Sequence, residues 1–268
     1  MEIIYHGHSC VQIAVGDKSL VIDPFLRGNE LAVTKPEDIK ADYVLLTHAH
    51  IDHILDAEPI AKANDAPVVA GVELAAYMSW KGVRTIEMNI GGTVDLGFAK
   101  AKMIQVFHSS GIVLHDKQQI LYGGMPAGYI VQCGGLTLLH AGDTGLFGDM
   151  KLIGERYDID VAFIPMGDNY TMGPEDAIQA AEWYGAKLVV PVHYNTFPVI
   201  QQDAEAFVRS LEAKQIKGRV LKPGRKSLLD KEPSREDTCV IEAARQCAAF
   251  LIPKLRFFHM VVSRYFIF

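Results

Sequence analysis

The residue pattern predicts an α/β (α+β) chain in which two β-sheets pack face to face with helices outside. Three observations carry this expectation. Short apolar stretches with glycine turns open the chain. Strand-like and helix-like segments alternate after Asp42. The same order, strands first and helices after, returns beyond Ile86.

The opening segments 2–6, 10–15 and 19–22 read as strands, joined at Gly7 and Gly16-Asp17 by turn chemistry suited to antiparallel hairpins. A polar stretch follows Pro24. Segment 44–47 is a strand and 54–64 a helix with Ile54, Leu55, Ile60 and Ala61 on its apolar side. Pro67 opens a short strand to Ala70, and 73–80 is a helix closed by Gly82. Strands broken by Gly91-Gly92, Gly123-Gly124 and Gly134-Gly135 fill 86–140. Segment 147–157 is a helix and 161–165 a buried strand. Pro174-Glu175-Asp176 starts a helix to Tyr184, with proline and acids in its first turn. A strand at 188–193, a helix at 203–213 and a closing strand at 218–221 complete the pattern.

The chain has 268 residues, 49% hydrophobic and 22% charged, with a formal net charge of -6. That composition is expected of a soluble globular protein with ample core. The acidic balance and the lack of a Lys/Arg-rich tract weigh against a broad nucleic-acid surface. The start, Met1-Glu2-Ile3-Ile4, reads as no secretory leader. Cys10, Cys133, Cys239 and Cys247 form no close pair, as expected of free thiols in a reducing cytoplasm. Residues 1–228 read as one domain. Residues 229–268, charged at first and then apolar but interrupted by Lys254, Arg256 and Arg264, read as a poorly packed C-terminal extension without a spanning helix. No sequence feature decides for or against a homo-oligomer.

The chemistry is concentrated in His48-Ala49-His50-Ile51-Asp52-His53, which follows the apolar stretch 43–46. Imidazole and carboxylate are the donors that zinc and similar ions take. Residues two apart in extended chain point the same way, so His48 and His50 can share an ion. Asp52 and His53 fall where the chain turns into a helix and can face a second one. Further candidates stand at other strand ends: His108, His140 with Asp143, and His193. Tyr194 and Asn195, just after His193, either contact substrate or an oxyanion or cap the strand end.

His48-x-His50-x-Asp52-His53, His108, Gly142-Asp143-Thr144 and His193 together resemble the motif series of the metallo-β-lactamase superfamily. Gly7-His8-Ser9, Met125-Pro126-Ala127-Gly128 and the run 167–177 are similar to its bacterial and archaeal metal-dependent hydrolases, near L-ascorbate-6-phosphate lactonase. The resemblance spans residues 1–228 and implies a four-layer αββα sandwich. It implies that His48, His50 and His108 hold one metal ion, that Asp52, His53 and His193 hold a second, and that Asp143 bridges both. Asp23, in Val21-Ile22-Asp23-Pro24, would support the ligand loop, His140 would stand behind the ligands, and His8 would line the site.

The reaction implied is hydrolysis by a hydroxide shared between two divalent ions, zinc first, with manganese or nickel as alternatives. Asp52 would orient that nucleophile as the catalytic carboxylate. Two divalent ions, two carboxylates and a hydroxide leave about one positive charge, which favours a small anionic ester, lactone or phosphodiester. The alternatives are an RNA- or DNA-processing nuclease and a non-hydrolytic metal-binding sensor on the same fold.

Overall fold

The computed structural model describes residues 1–229. The expected extension at 229–268 lies, but for Leu229, outside the described residues. In chain order the strands are β1 (Glu2–Gly7), β2 (Cys10–Val15), β3 (Lys18–Ile22), β4 (Tyr43–Leu45), β5 (Val68–Gly71), β6 (Thr85–Met88), β7 (Thr93–Asp95), β8 (Ala99–Gln105), β9 (Gly111–Leu114), β10 (Gln119–Tyr122), β11 (Ala127–Cys133), β12 (Leu136–His140), β13 (Val161–Pro165), β14 (Leu188–Val192) and β15 (Lys226–Leu228). The helices are α1 (Ile51–Ile54), α2 (Ala57–Asn64), α3 (Val72–Trp80), α4 (Asp149–Arg156), α5 (Pro174–Tyr184) and α6 (Ala204–Ala213).

One sheet has the order β15-β1-β2-β3-β4-β5-β6, the other β14-β13-β12-β11-β8-β7, and β9 with β10 forms a separate hairpin. In the first sheet the opening strands pair antiparallel, and β3 to β6 run parallel. In the second, β7, β8, β11 and β12 pair antiparallel, and β12 to β14 run parallel.

Strand alternation explains the layers. Successive side chains point to opposite faces, so a strand buried on both sides feeds two cores. Leu20 and Ile22 enter the core between the sheets, whereas Val21 enters the one beneath α1 to α3. Val161 and Phe163 likewise face the other sheet, and Ala162 and Ile164 face α4 to α6. Three stacked cores make the expected αββα sandwich of four layers.

Two local expectations are corrected. The helix foreseen over 54–64 is two pieces. Asp56 leaves helical geometry between them, because its carboxylate accepts from the backbone N–H groups of Leu26 and Arg27 instead of continuing the helix. Pro59 then stands in the first turn of α2, where a missing N–H costs little. The closing strand foreseen at 218–221 is a single bridge from Gly218 to Val189. The true closing strand is β15, which pairs antiparallel with β1 after the Pro223-Gly224 turn. Among the described residues Cys10 and Cys133 are free buried thiols, and no helix is long and apolar enough to cross a membrane.

The outer helices pack by backbone approach. A Cβ at Gly154 in α4 would lie 2.1 Å from the Trp183 carbonyl oxygen and 2.7 Å from that of Tyr184. Gly154→Ala should therefore destabilise the fold by about 1–3 kcal/mol, overriding the intrinsic helix preference for alanine. The thermal midpoint should fall by several degrees; a rise would mean that α4 and α5 are not in this contact.

Candidate metal centre

The site sits where strands of both sheets end. His8 closes the turn from β1 to β2. Asp23 follows β3, the ligand-rich segment 48–53 follows β4, His108 follows β8, Asp143 follows β12 and His193 follows β14. In parallel sheets the carboxyl ends of strands are the usual ligand edge, since the connecting loops gather there. The two sheets are tied at this edge. Tyr129 of β11 donates its hydroxyl to the Leu46 carbonyl at 2.8 Å, and Ala127 N donates to the Thr47 carbonyl at 2.9 Å. His193 N donates to the His8 carbonyl at 2.8 Å.

His8 and His193 both take left-handed backbone, with φ of 54° and 56°. That conformation costs an L-residue roughly 1–2 kcal/mol and persists only where neighbours enforce it. Here the mutual backbone bond and the Tyr5 hydroxyl on the His8 carbonyl hold the turn. Both rings thereby face the same centre, with centroids 4.0 Å apart.

Two groups of side chains converge. His48 Nε2 lies 2.9 Å from His50 Nδ1, which lies 3.3 Å from His108 Nε2. Ligand atoms about 2.0–2.1 Å from a tetrahedral ion stand about 3.3 Å apart, so this spacing fits one cation. The second group comprises His8, Asp52, His53 and His193. Asp143 lies between the groups. Its Oδ2 is 3.0 Å from His193 Nε2, 3.3 Å from His53 Nε2, 3.7 Å from His108 Nε2 and 3.9 Å from His48 Nε2. His53 Nε2, Asp143 Oδ1 and His193 Nε2 are buried without a hydrogen-bond partner. Buried polar atoms are normally satisfied, and this cluster fits cations as their missing partners.

The surroundings set each ring's tautomer. Asp23 is fully buried; its Oδ1 accepts from Thr47 N at 2.8 Å, and its Oδ2 accepts from the Thr47 hydroxyl at 2.6 Å and from His53 Nδ1 at 2.8 Å. His48 Nδ1 donates to the same hydroxyl oxygen at 3.0 Å. Both rings therefore turn Nε2 lone pairs inward. Ser109 Oγ stands 3.3 Å from His50 Nε2, so the Nδ1 of that ring faces the centre. Burial keeps His48, His50 and His108 below the usual histidine pKa, which favours the neutral, ligating ring. His53 differs: burial opposes its charge, but Asp143 and then Asp23 hold its pKa well above the ordinary value. A cation there would take the place of that proton.

His8 sits behind Asp52. Its Nε2 donates to Asp52 Oδ2 at 3.0 Å, and its Nδ1 accepts from the Thr196 hydroxyl at 2.5 Å. Burial, then the neighbouring His193, pulls the His8 pKa to about 4. Asp52 is below the usual carboxylate range despite burial, because His8 donates to it.

The remaining sequence candidates fall elsewhere. His140 donates Nε2–H to the Ser9 carbonyl at 2.9 Å and accepts from Gly142 N at 3.2 Å, so it fixes the backbone turn that presents Asp143. Tyr194 packs in the core beneath α5 and α6, and burial pushes its phenol up to about 12. Asn195 shows the capping arrangement. Its backbone is left-handed and its side-chain Oδ1 accepts from Gln202 N at 2.7 Å, so it caps the loop after β14. Sequence reading missed Thr47 and Thr196, whose hydroxyls sit in apolar or mixed surroundings with no spacing to mark them.

Residues 2–193 match the family described as the beta-lactamase superfamily domain. A UPF0173 metal-dependent hydrolase of Geobacillus thermodenitrificans is 58% identical over 224 residues, covering 84% of this chain and 98% of the relative. The UPF0173 metal-dependent hydrolase YtkL of Bacillus subtilis is 56% identical over 211 residues, covering 79% and 93%. The solved structure of Igni18, a metallo hydrolase from the archaeon Ignicoccus hospitalis, is 36% identical with a TM-score of 0.78, covering 86% of this chain and 99% of that one. The chain belongs to the metallo-β-lactamase superfamily and, within it, to the UPF0173 metal-dependent hydrolases.

Asp23→Asn keeps the shape but weakens the acceptor shared by Thr47 and His53. Losing such support behind a ligand typically costs 10–100-fold in metal affinity. Chelator competition should read a loss of about that size, with the far-ultraviolet circular dichroism spectrum retained. An unchanged affinity would remove Asp23 from the account of the site.

Proposed function

We propose that this member of the superfamily is a hydrolase of small anionic esters, lactones or phosphodiesters that works with two divalent cations, zinc first, with manganese or nickel as alternatives. His48, His50 and His108 would hold one ion, Asp52, His53 and His193 the other, and Asp143 both. The observation that carries the reading is the position of Asp143 Oδ2, within 3.0–3.9 Å of one imidazole nitrogen from each of four candidate ligands. When bound, paired ions of this kind lower the pKa of a shared water and neutralise charge on the substrate oxygens.

The chain's own groups do the rest. Asp52 is held by His8, which is held in turn by Thr196, so its carboxylate is ionised and fixed. It can accept a proton from the attacking water as the oxygen bonds to the electrophilic carbon or phosphorus. The bond to the leaving oxygen breaks, and that proton passes to it. His8 is neutral near pH 7 and donates one hydrogen bond throughout, so it positions Asp52 without taking up charge.

Purified full-length protein should contain about two divalent ions per chain and hydrolyse bis-p-nitrophenyl phosphate. His48→Ala and Asp143→Ala should each reduce hydrolysis to the uncatalysed background and lower the metal content. Full activity in either variant would exclude the mechanism.

A further inference from the structure

The candidate metal centre forms one end of a cavity of about 840 Å³, which continues between α1, α3 and β9. That volume lies in the upper range for small-molecule sites and far exceeds what a hydrolysable ester or phosphate group alone would fill. Away from the metal end the lining is largely apolar. Phe25 and Phe197, with ring centroids 6.2 Å apart, stand instead at the metal end, each 5.4 Å from the His8 ring. Ile51, Ile54, Ile112 and Val113 line the continuation.

Ile51 is the telling residue. It occupies the first turn of α1, next to Asp52, and is 63% exposed. Val113 on β9 is 52% exposed. Both exposed side chains line the cavity and could gain from apolar surface brought there. The cations lining the same cavity already have partners. Arg27 donates to the buried Asp56, and Lys81 lies 3.4 Å from Glu58. Polar recognition is thus concentrated at the metal end.

We infer that the substrate is an amphiphile: its hydrolysable anionic group sits at the metal centre, and an apolar alkyl, acyl or aryl body of about six to ten carbons lies along α1 and β9. This rests on the hydrolase reading above and narrows it. Hydrolysis adds one water across the scissile bond, and the apolar body stays on one of the two products.

The test is calorimetric titration of metal-loaded, full-length protein with alkylphosphonates from methyl to octyl, beside the bis-p-nitrophenyl phosphate assay. Affinity should rise up to about fourfold per methylene, the factor for a fully buried CH₂. The double variant Ile51→Asn, Val113→Asn should flatten that series. Both residues are more than half exposed, which favours retention of the fold. Equal affinity for methyl and octyl in the wild type, with hydrolysis intact, overturns the inference and leaves the hydrolase reading. A steep series with no hydrolysis does the reverse. A series that stays steep in the double variant overturns the placement of the body along α1 and β9.

Discussion

Asp23 lies where three requirements of the fold meet. It ends a strand of the first sheet with left-handed backbone, φ 48°, and is fully buried. A carboxylate taken out of water is costly unless its lone pairs are satisfied. Asp23 is satisfied by groups from the next strand's exit loop: one backbone N–H, one hydroxyl and one imidazole. The loop that carries four of the seven candidate ligands is thereby bound to β3 through a single anion. The same bonds choose which nitrogen of His53 and, through Thr47, which nitrogen of His48 faces the centre. Position and protonation are therefore fixed by one constraint.

The second sheet contributes differently. Asp143 follows β12 through Gly142, whose backbone is left-handed at φ 63°, and a Cβ there would lie 2.6 Å from the Ala127 carbonyl oxygen. Glycine is required because the turn passes hard against β11. His140 holds that turn from behind while bonding Ser9 of the first sheet. His193 reaches the centre by a left-handed turn tied to the His8 carbonyl. Asp143, through His140, and His193 are thus each tied to the first sheet by a polar bond, so packing of the sheets also positions these two candidate ligands.

What the sequence made legible follows from range. Six residues in a row carry four ligands because the loop is local, and a short loop can be read without knowing the fold. The buried strands were legible for the same reason, since alternation and length are local properties. His108, Asp143 and His193 were visible only as strand-end residues, and their convergence rested on resemblance. Thr196 lies 188 positions from the ring it supports, and nothing near it marks that contact. The break before α2 was missed because Asp56 is drawn out of the helix by partners 29 and 30 positions earlier. The closing strand was misplaced by a few residues because Val220 and Leu221 pack like strand residues, while the hydrogen bonds go to 226–228.

The carboxylates near the centre divide the labour by what surrounds them. Asp23 and Asp56 are fully buried, and each accepts three hydrogen bonds from protein donors that use both of its oxygens. Asp143 is equally buried, yet one of its oxygens has no protein partner. Asp52 retains 21% side-chain exposure and opens onto the cavity, with one oxygen held by His8. A carboxylate that is buried and incompletely bonded suits a bridging ligand, which needs a dry, fixed anion. One that is tethered on one side and open on the other suits proton transfer, which needs contact with the reacting group. The four acids are chemically identical, and burial together with the count of donors is what distinguishes their surroundings.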